Sequence, residues 1–489
     1  MRAEEEIKWQ SILNSFLNNP DRIYTADDSV LHDLMQAACM LLNEEASYTI
    51  KNLAVTMLHE IVFADKVTLE ECWQIFWQIK HKSFSDINLH LLRGSLRNLY
   101  GHVFRFVKDT LALELPYQNI EARDQKHIII IASQFLSYGH APTARVLDYS
   151  YAIQKHLGIK VSIINSSEMH CYPSSALEPS INFNFVEEYS KQSVIKYNDE
   201  KFEFYQVDSM MPNLEVYIKL LNIIYDINPL LIYNIGGNCL LADLCTQFTT
   251  TVSLPCSYEI PISCSKYLLV GRKVQDNDGS VLDMISESQH VLETEMNFIV
   301  TEEVSYTRTD FNLGKDDFVI CIVGNRLDKE IDNSFLTLLK DVLEIKQIHL
   351  VFIGKITGRD RMMNILSEEY SNKIHFLDYQ KHCKSIIKLT DLYLNPKRNG
   401  GGRSSFEALS CGVPVITPRF GDVCYVCGGD FCVDNYDEIY SCVKKYSTDR
   451  NFYSDMREKA FNRAGELTDI QGTQKNMIDT VFKMETEGI

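Results

Sequence analysis

Two successive α/β domains with parallel sheets, preceded by an all-helical N-terminal domain, are the fold class this sequence predicts, and three observations predict it. Residues 1–118 carry apolar side chains at helical spacing and few runs that read as strands. Residues 119–305 alternate short apolar runs with segments that can be helical, and so do residues 306–489. Such alternation implies a parallel sheet covered on both faces, once in each of the two segments.

The helical stripes begin with Trp9, Ile12, Leu13 and Phe16, followed by Leu31, Leu34, Ala38 and Leu41, then by Ile50, Leu53, Ala54, Met57, Leu58 and Ile61. A polar joint, LPYQNIEARD, ends this region, and the run HIIIIAS after it reads as a buried parallel strand. Pro142 suits the first turn of a helix with Val146, Tyr149, Ile153 and Leu157 on its buried stripe and Gly158 as its stop. The strands KVSIIN and PLLIYNIGG follow, with a helix opening near Asn238. A second series of strands runs through DFVICIVGN, IHLVFIGK, KIHFLDY, DLYLNP and GVPVITP.

Composition narrows the class further. With 489 residues, 45% hydrophobic and 23% charged, the chain can bury two or three cores. It contains no run of about 18 apolar residues, and its start is acidic and mixed where a secretory leader would be basic and then apolar. A cytoplasmic protein without stable membrane insertion is expected. The 14 cysteines fall in core-like segments and read as reduced packing thiols. Among them Cys424, Cys427 and Cys432 form a C-x-x-C with a third cysteine close by, but no second pair completes a zinc set, so no metal site is assigned. A formal charge of −18 argues against nucleic acid or an anionic membrane as the main partner.

The densest chemistry lies in DLYLNPKRNGGGRSSFEALSCGVPVITP, which reads as strand, glycine-rich loop, short helix and strand. Gly400, Gly401 and Gly402 let the backbone approach a ligand, and the helix from about Arg403 to Cys411 points its amides and positive dipole end into the loop. Ser404 and Ser405 add hydroxyls, and Lys397 and Arg398 add positive charge, so a diphosphate is the natural guest. Glu407, about one turn further on, can accept hydrogen bonds from the vicinal hydroxyls of a ribose. The alternative is a tight turn followed by a solvated glutamate.

The run from Asn395 to Thr417 resembles the donor-binding motif of GT-B glycosyltransferases, which often read E-A-x-x-x-G-x-P-V-V/I after the loop that holds the sugar nucleotide. IVGNRLDKEID is similar to the first strand and loop of the same domain, which implies that Arg326 and Lys329 contact the diphosphate. The resemblance implies two Rossmann-like domains over roughly Arg123 to the C-terminus and a UDP-linked sugar as donor. Retaining members of the large family with this motif usually carry a glutamate eight residues before the second one, and here Asn399 occupies that position. The single acidic residue makes the loop more similar to inverting protein O-GlcNAc transferases and bacterial adhesin N-glycosyltransferases. Those adhesin enzymes also have a helical N-terminal domain, which residues 1–118 resemble in type only.

In the first α/β segment, Gly139 and His140 lie in the loop beyond the carboxyl end of HIIIIAS, the edge where open α/β sheets place ligands. This G-H-x-P pattern resembles the acceptor-side loop of several inverting GT-B enzymes. An imidazole with an ordinary pKa of about 6.5 suits a base that deprotonates an acceptor, with helix capping as the competing role. Asn234, Gly236 and Gly237 follow the next strand in the same manner, either as a sugar- or acceptor-side backbone or as a plain turn.

The expected function is metal-independent, inverting glycosyl transfer: a hexose or N-acetylhexosamine moves from a nucleotide sugar to a protein or peptide acceptor, with no further cofactor. The helical domain is a candidate surface for acceptor docking or self-association. The alternatives are a sugar-nucleotide epimerase, which needs paired acid and base groups, and a non-catalytic glycosyltransferase-like partner of an active enzyme.

Overall fold

The computed structural model describes residues 3–43, 46–86, 93–174, 177 and 183–488. The chain forms two compact units, one of residues 1–294 with 474–489, the other of residues 295–473.

The first unit opens with helices at Ala3–Leu17, Asp28–Asn43, Tyr48–Phe63, Leu69–Ser85 and Arg93–Leu111. The start of the fourth is set locally: the Thr68 hydroxyl accepts from the Glu71 amide, and the Glu71 carboxylate accepts from the Thr68 amide. Leu13, Leu31, Ala38, Ile50, Ala54, Leu58 and Ile61 are buried, as their spacing predicts. An eight-stranded sheet follows: β1 (Asp124–Ala132), β2 (Lys160–Asn165), β3 (Val194–Tyr197), β4 (Glu200–Gln206), β5 (Pro229–Gly236), β6 (Thr251–Pro255), β7 (Tyr267–Val270) and β8 (His290–Glu293). Its order is β3-β4-β2-β1-β5-β6-β7-β8, and every pairing except the β3–β4 hairpin is parallel. The central β1 is apolar over its last residues because both of its faces are covered.

The helices and this sheet share one hydrophobic core, in which Trp73, Phe76 and Tyr100 pack with Ile129, Ile131, Ile232 and Leu240. Buried polar bonds fix the contact. The Trp73 indole donates to the Glu168 carbonyl at 2.8 Å, Gln74 to the Tyr172 carbonyl at 2.7 Å and Arg97 to the Pro261 carbonyl at 2.6 Å. Two buried carboxylates lie beside this contact, and Asp243 reaches across it to Tyr100. Glu168 accepts from the Leu240 and Leu241 amides and from the Tyr217 hydroxyl, and burial pushes its pKa up to about 7 despite those bonds. Asp243 accepts from the hydroxyls of Tyr100, Ser263 and Ser265 and from the Cys264 amide.

The last helix, Ile470–Glu487, returns residues 474–489 to this unit. There Glu485 accepts from Tyr117 at 2.8 Å, Tyr267 at 2.9 Å and Lys266 at 2.8 Å. Burial alone would raise its pKa, but these hydrogen bonds outweigh burial and hold it below the ordinary glutamate value.

The second unit is built on a six-stranded, wholly parallel sheet: β9 (Phe318–Val323), β10 (Ile348–Ile353), β11 (Ile374–Leu377), β12 (Leu392–Leu394), β13 (Val415–Pro418) and β14 (Cys432–Val433). The order is β11-β10-β9-β12-β13-β14. The order reverses direction at β9, which places the loops after β9 and β12 side by side at the carboxyl edge, the switch point where such sheets hold ligands. Among the described residues, no helix is long and apolar enough to cross a membrane.

Replacing Asp243 by Ala leaves three hydroxyls and an amide without their acceptor, and unsatisfied buried groups cost about 1–3 kcal/mol each before relaxation. Urea unfolding of Asp243→Ala is expected to show a loss of about 3 kcal/mol. A loss within error of zero would show that the join between helices and sheet does not depend on this carboxylate.

Candidate functional site

β12 ends at Leu394, and the chain turns through Asn395 to Gly401 before the helix Gly402–Ser410. Gly401 is the N-cap at φ +85°, a conformation that favours glycine, and no side chain caps the turn. Helix geometry leaves the first-turn amides without an intrahelical acceptor, so this end of the helix can receive an anion.

The two adjacent cations of the loop are placed in opposite ways. Lys397 is exposed, with its ammonium 5.4 Å from the centre of the Phe420 ring. Arg398 is buried, and its guanidinium donates to Asn395 Oδ1 at 2.9 Å, Glu330 Oε2 at 2.8 Å, the Val323 carbonyl at 2.6 Å and the Tyr393 hydroxyl at 3.3 Å. It is thus a strut that joins the ends of β9 and β12 rather than a side chain reaching outward. A Cβ on Gly324, just after β9, would stand 2.3 Å from this guanidinium, so a side chain there would have to displace the strut.

Arg326 is half-exposed and holds Glu330 Oε1 through two nitrogens, at 2.9 and 2.7 Å; Lys329 is exposed. Glu330 therefore bridges Arg326 and Arg398 and brings the two basic segments together. Sequence reasoning missed Glu330 and Tyr393. The spacing of Arg326 and Glu330, four residues apart, was the available signal for the first.

Ser404 donates to the Gly401 carbonyl at 3.0 Å and lies 3.0 Å from the Tyr393 hydroxyl, while the buried Ser405 donates to the Gly402 carbonyl at 2.9 Å. Both hydroxyls thus brace the first turn. Asn399 is buried and Gly400 takes φ +81°. The Glu407 side chain is 14% exposed, and its ion pair with Arg403 is long, 3.8 Å. Burial raises its pKa, against the opposing charges of Arg403 and Lys384. Such a carboxylate, mostly out of water, keeps acceptor capacity for hydroxyl groups.

In the first unit, His140 is the N-cap of the helix Ala141–Tyr151, but its side chain does not cap it. Its Nδ1 lies 3.0 Å from Thr143 Oγ1, which also accepts from the Leu136 amide. Burial lowers its pKa to about 4, well under the ordinary imidazole value, so the ring is neutral at pH 7. Gly139 beside it is exposed. Asn234 is fully buried in β5, where its Nδ2 donates to Ser253 Oγ at 3.2 Å and its Oδ1 lacks a hydrogen-bond partner. Gly236 and Gly237 follow at φ +116° and +69°, with open space where a Gly236 side chain would stand. β1 and β5 are parallel neighbours, so both loops leave the same edge of the sheet. Among the described residues, no three His, Cys, Asp or Glu side chains are placed to hold a metal ion.

A mostly parallel and a wholly parallel α/β sheet in succession along one chain are the architecture of the GT-B fold class. Residues 306–463 match the family described as Glycosyl transferases group 1. No curated protein matches the sequence. Among solved structures, the chain is similar to a mutant of the O-GlcNAc transferase of Thermobaculum terrenum, with 14% identity, a TM-score of 0.54, and 98% of this chain and 94% of that one covered. It is also similar to HepE of Anabaena, solved with UDP-glucose, at 11% identity and a TM-score of 0.48 over 72% of this chain and 99% of that one. A third is the lipopolysaccharide outer core galactosyltransferase WaaB, at 12% identity and a TM-score of 0.49 over 73% and 99%. At those scores the last two are likenesses only. The chain has the GT-B fold, and the matched segment together with that fold supports a glycosyltransferase.

Removing the strut tests its role. Arg398→Met leaves the Glu330 side chain, only 7% exposed, with Arg326 as its ion-pair partner, and breaking such a buried pair costs about 3–5 kcal/mol. Denaturation is expected to show a loss of that size, and Arg398→Lys is expected to recover little, since an ammonium cannot make the forked set of bonds. Full recovery by Lys would show that charge alone matters there.

Proposed function

We propose that the protein transfers a hexose or N-acetylhexosamine from a UDP-linked donor to a protein or peptide acceptor, with inversion at the anomeric carbon and without a required metal. The observation that carries the donor half is the uncapped helix start at Gly401, with Glu407 on the same short helix. The leaving diphosphate would lie against the first-turn amides, with Lys397, Arg326 and Lys329 supplying further positive charge. Ribose hydroxyls would donate to Glu407. The uridine nucleotide and the sugar rest on the sequence resemblance, and a protein or peptide acceptor rests on the acidic charge of the chain. A cytoplasmic setting rests on composition and thiol content.

His140 is the proposed base. In the tautomer whose Nδ1–H donates to Thr143 Oγ1, Nε2 keeps its lone pair for the proton of the attacking acceptor group. The sign of its pH dependence follows from the depressed pKa: the competent neutral form is full above about 5 and is lost as pH falls through about 4.

Calorimetry with nucleoside diphosphates and their sugars tests the donor half. UDP is expected to bind without added metal, and Glu407→Ala to weaken it about 10- to 100-fold, the worth of hydrogen bonds to a charged group. Absence of binding by any nucleotide would overturn the transferase reading, and conversion of the donor alone would mark an epimerase.

The base is tested by the pH profile of kcat/KM, which should stay level from pH 8 to about 5 and fall tenfold per unit below about 4. His140→Ala should lower kcat about 100-fold or more. An unchanged kcat in that variant would remove His140 from the chemistry.

A further inference from the structure

The three cysteines that suggest a metal motif in the sequence have a different relationship in the fold. Cys424 lies on the helix Gly421–Cys427 and Cys432 begins β14, with a tight turn between them. Their sulfurs are 3.1 Å apart, and the Cys432 thiol also points to the Gly428 carbonyl at 3.3 Å. Both residues are partly exposed, whereas Cys427 is 1% exposed and burial pushes its thiol up to about 12.

We infer that Cys424 and Cys432 are a redox modification site, a pair that closes to a reversible disulfide when a hydroperoxide reaches it. A bonded pair needs sulfurs about 2.05 Å apart, so closure asks for a movement of only about 1 Å. The pair is also polarised for the first step. The hydrogen bond from Cys432, with help from Arg419, holds the Cys424 thiol below its ordinary value against the effect of burial. Cys432 is pushed up by the same bond and then by burial, which makes it the resolving partner.

In the first step the Cys424 thiolate attacks one peroxide oxygen, the O–O bond breaks, and a sulfenic acid and water (or an alcohol) result once a proton is taken up. In the second, the Cys432 sulfur displaces that hydroxyl as water. Two thiols and one hydrogen peroxide thus give one disulfide and two waters, and a dithiol reverses the change.

The site adjoins the proposed donor loop. Val423 and Val426, on the same helix as Cys424, pack so closely that a Cβ on Gly401 or Gly402 would stand 3.1 or 3.2 Å from their methyl groups. Disulfide formation is nevertheless a claim about the thiols alone, and it stands or falls independently of the donor reading.

The test is mass spectrometry of the full-length protein treated with hydrogen peroxide and then blocked with an alkylating reagent. Trypsin leaves all three cysteines in one peptide, but chymotryptic cuts after Tyr425 and Phe431 separate them. The expected result is a Cys424–Cys432 cross-linked peptide that disappears after dithiothreitol, with Cys427 still alkylated. Cys432→Ser should abolish the link and leave a sulfenic acid at Cys424 that a dimedone probe captures. A link to Cys427, over-oxidation of Cys424 without any link in the wild type, or no oxidation at either residue would each overturn the inference.

Discussion

The Arg398 guanidinium stands where the loops after β9 and β12 meet, and it donates to the Val323 carbonyl, Asn395, Glu330 and the Tyr393 hydroxyl. A buried cation is costly unless its donors are satisfied and an anion faces it, and here both conditions are met from separate segments of the chain. These bonds tie Asn395 at the start of the glycine loop to the end of β9, and the space they leave beside Gly324 is filled by the guanidinium itself. Backbone amides can stabilise an anion only if the backbone cannot move away when charge arrives, and the strut holds the start of this helix in that way for the proposed donor site.

The first unit depends on buried polar groups in a comparable way. Glu168 and Asp243 take hydrogen bonds from the helical segment, from β-strand connections and from the helix Leu240–Leu244, and Glu485 gathers three further donors at the return of the chain's last helix. Apolar packing alone would allow the helices to slide over the sheet with little change in buried area. Directional bonds to carboxylates fix one arrangement. The neutral His140, held by Thr143, sits on the edge of that rigid sheet.

Much of the glycine-rich loop was legible because local geometry demands particular residues. Gly401 at φ +85° and the turn that begins the helix leave few alternatives to glycine, and the alternation of β12, helix and β13 follows from hydrophobic period. The direction of a side chain is another matter. Lys397 and Arg398 are neighbours of like charge in the sequence, yet one is exposed and the other is buried. Ser404 and Ser405 look like ligand hydroxyls, but both bond to carbonyls of their own turn. In the same way Cys424 and Cys432 read as packing thiols until the turn between them sets their sulfurs 3.1 Å apart.

By itself the sequence determined the fold class, the alternation of the central strands with helices, and the place of a glycine loop before a short helix. These depend on periodicity, on glycine and on the dipole of a short helix, all of which act over a few residues. Only the tertiary structure decided that Arg398 is a strut, that Glu330 and Tyr393 belong to the loop, that His140 is neutral, and that the helical segment shares a core with the first sheet. Those outcomes depend on burial, as for His140, or on partners distant in sequence, as for Glu330 and Arg398 or Trp73 and Glu168, and desolvation energy has no local signature in a chain.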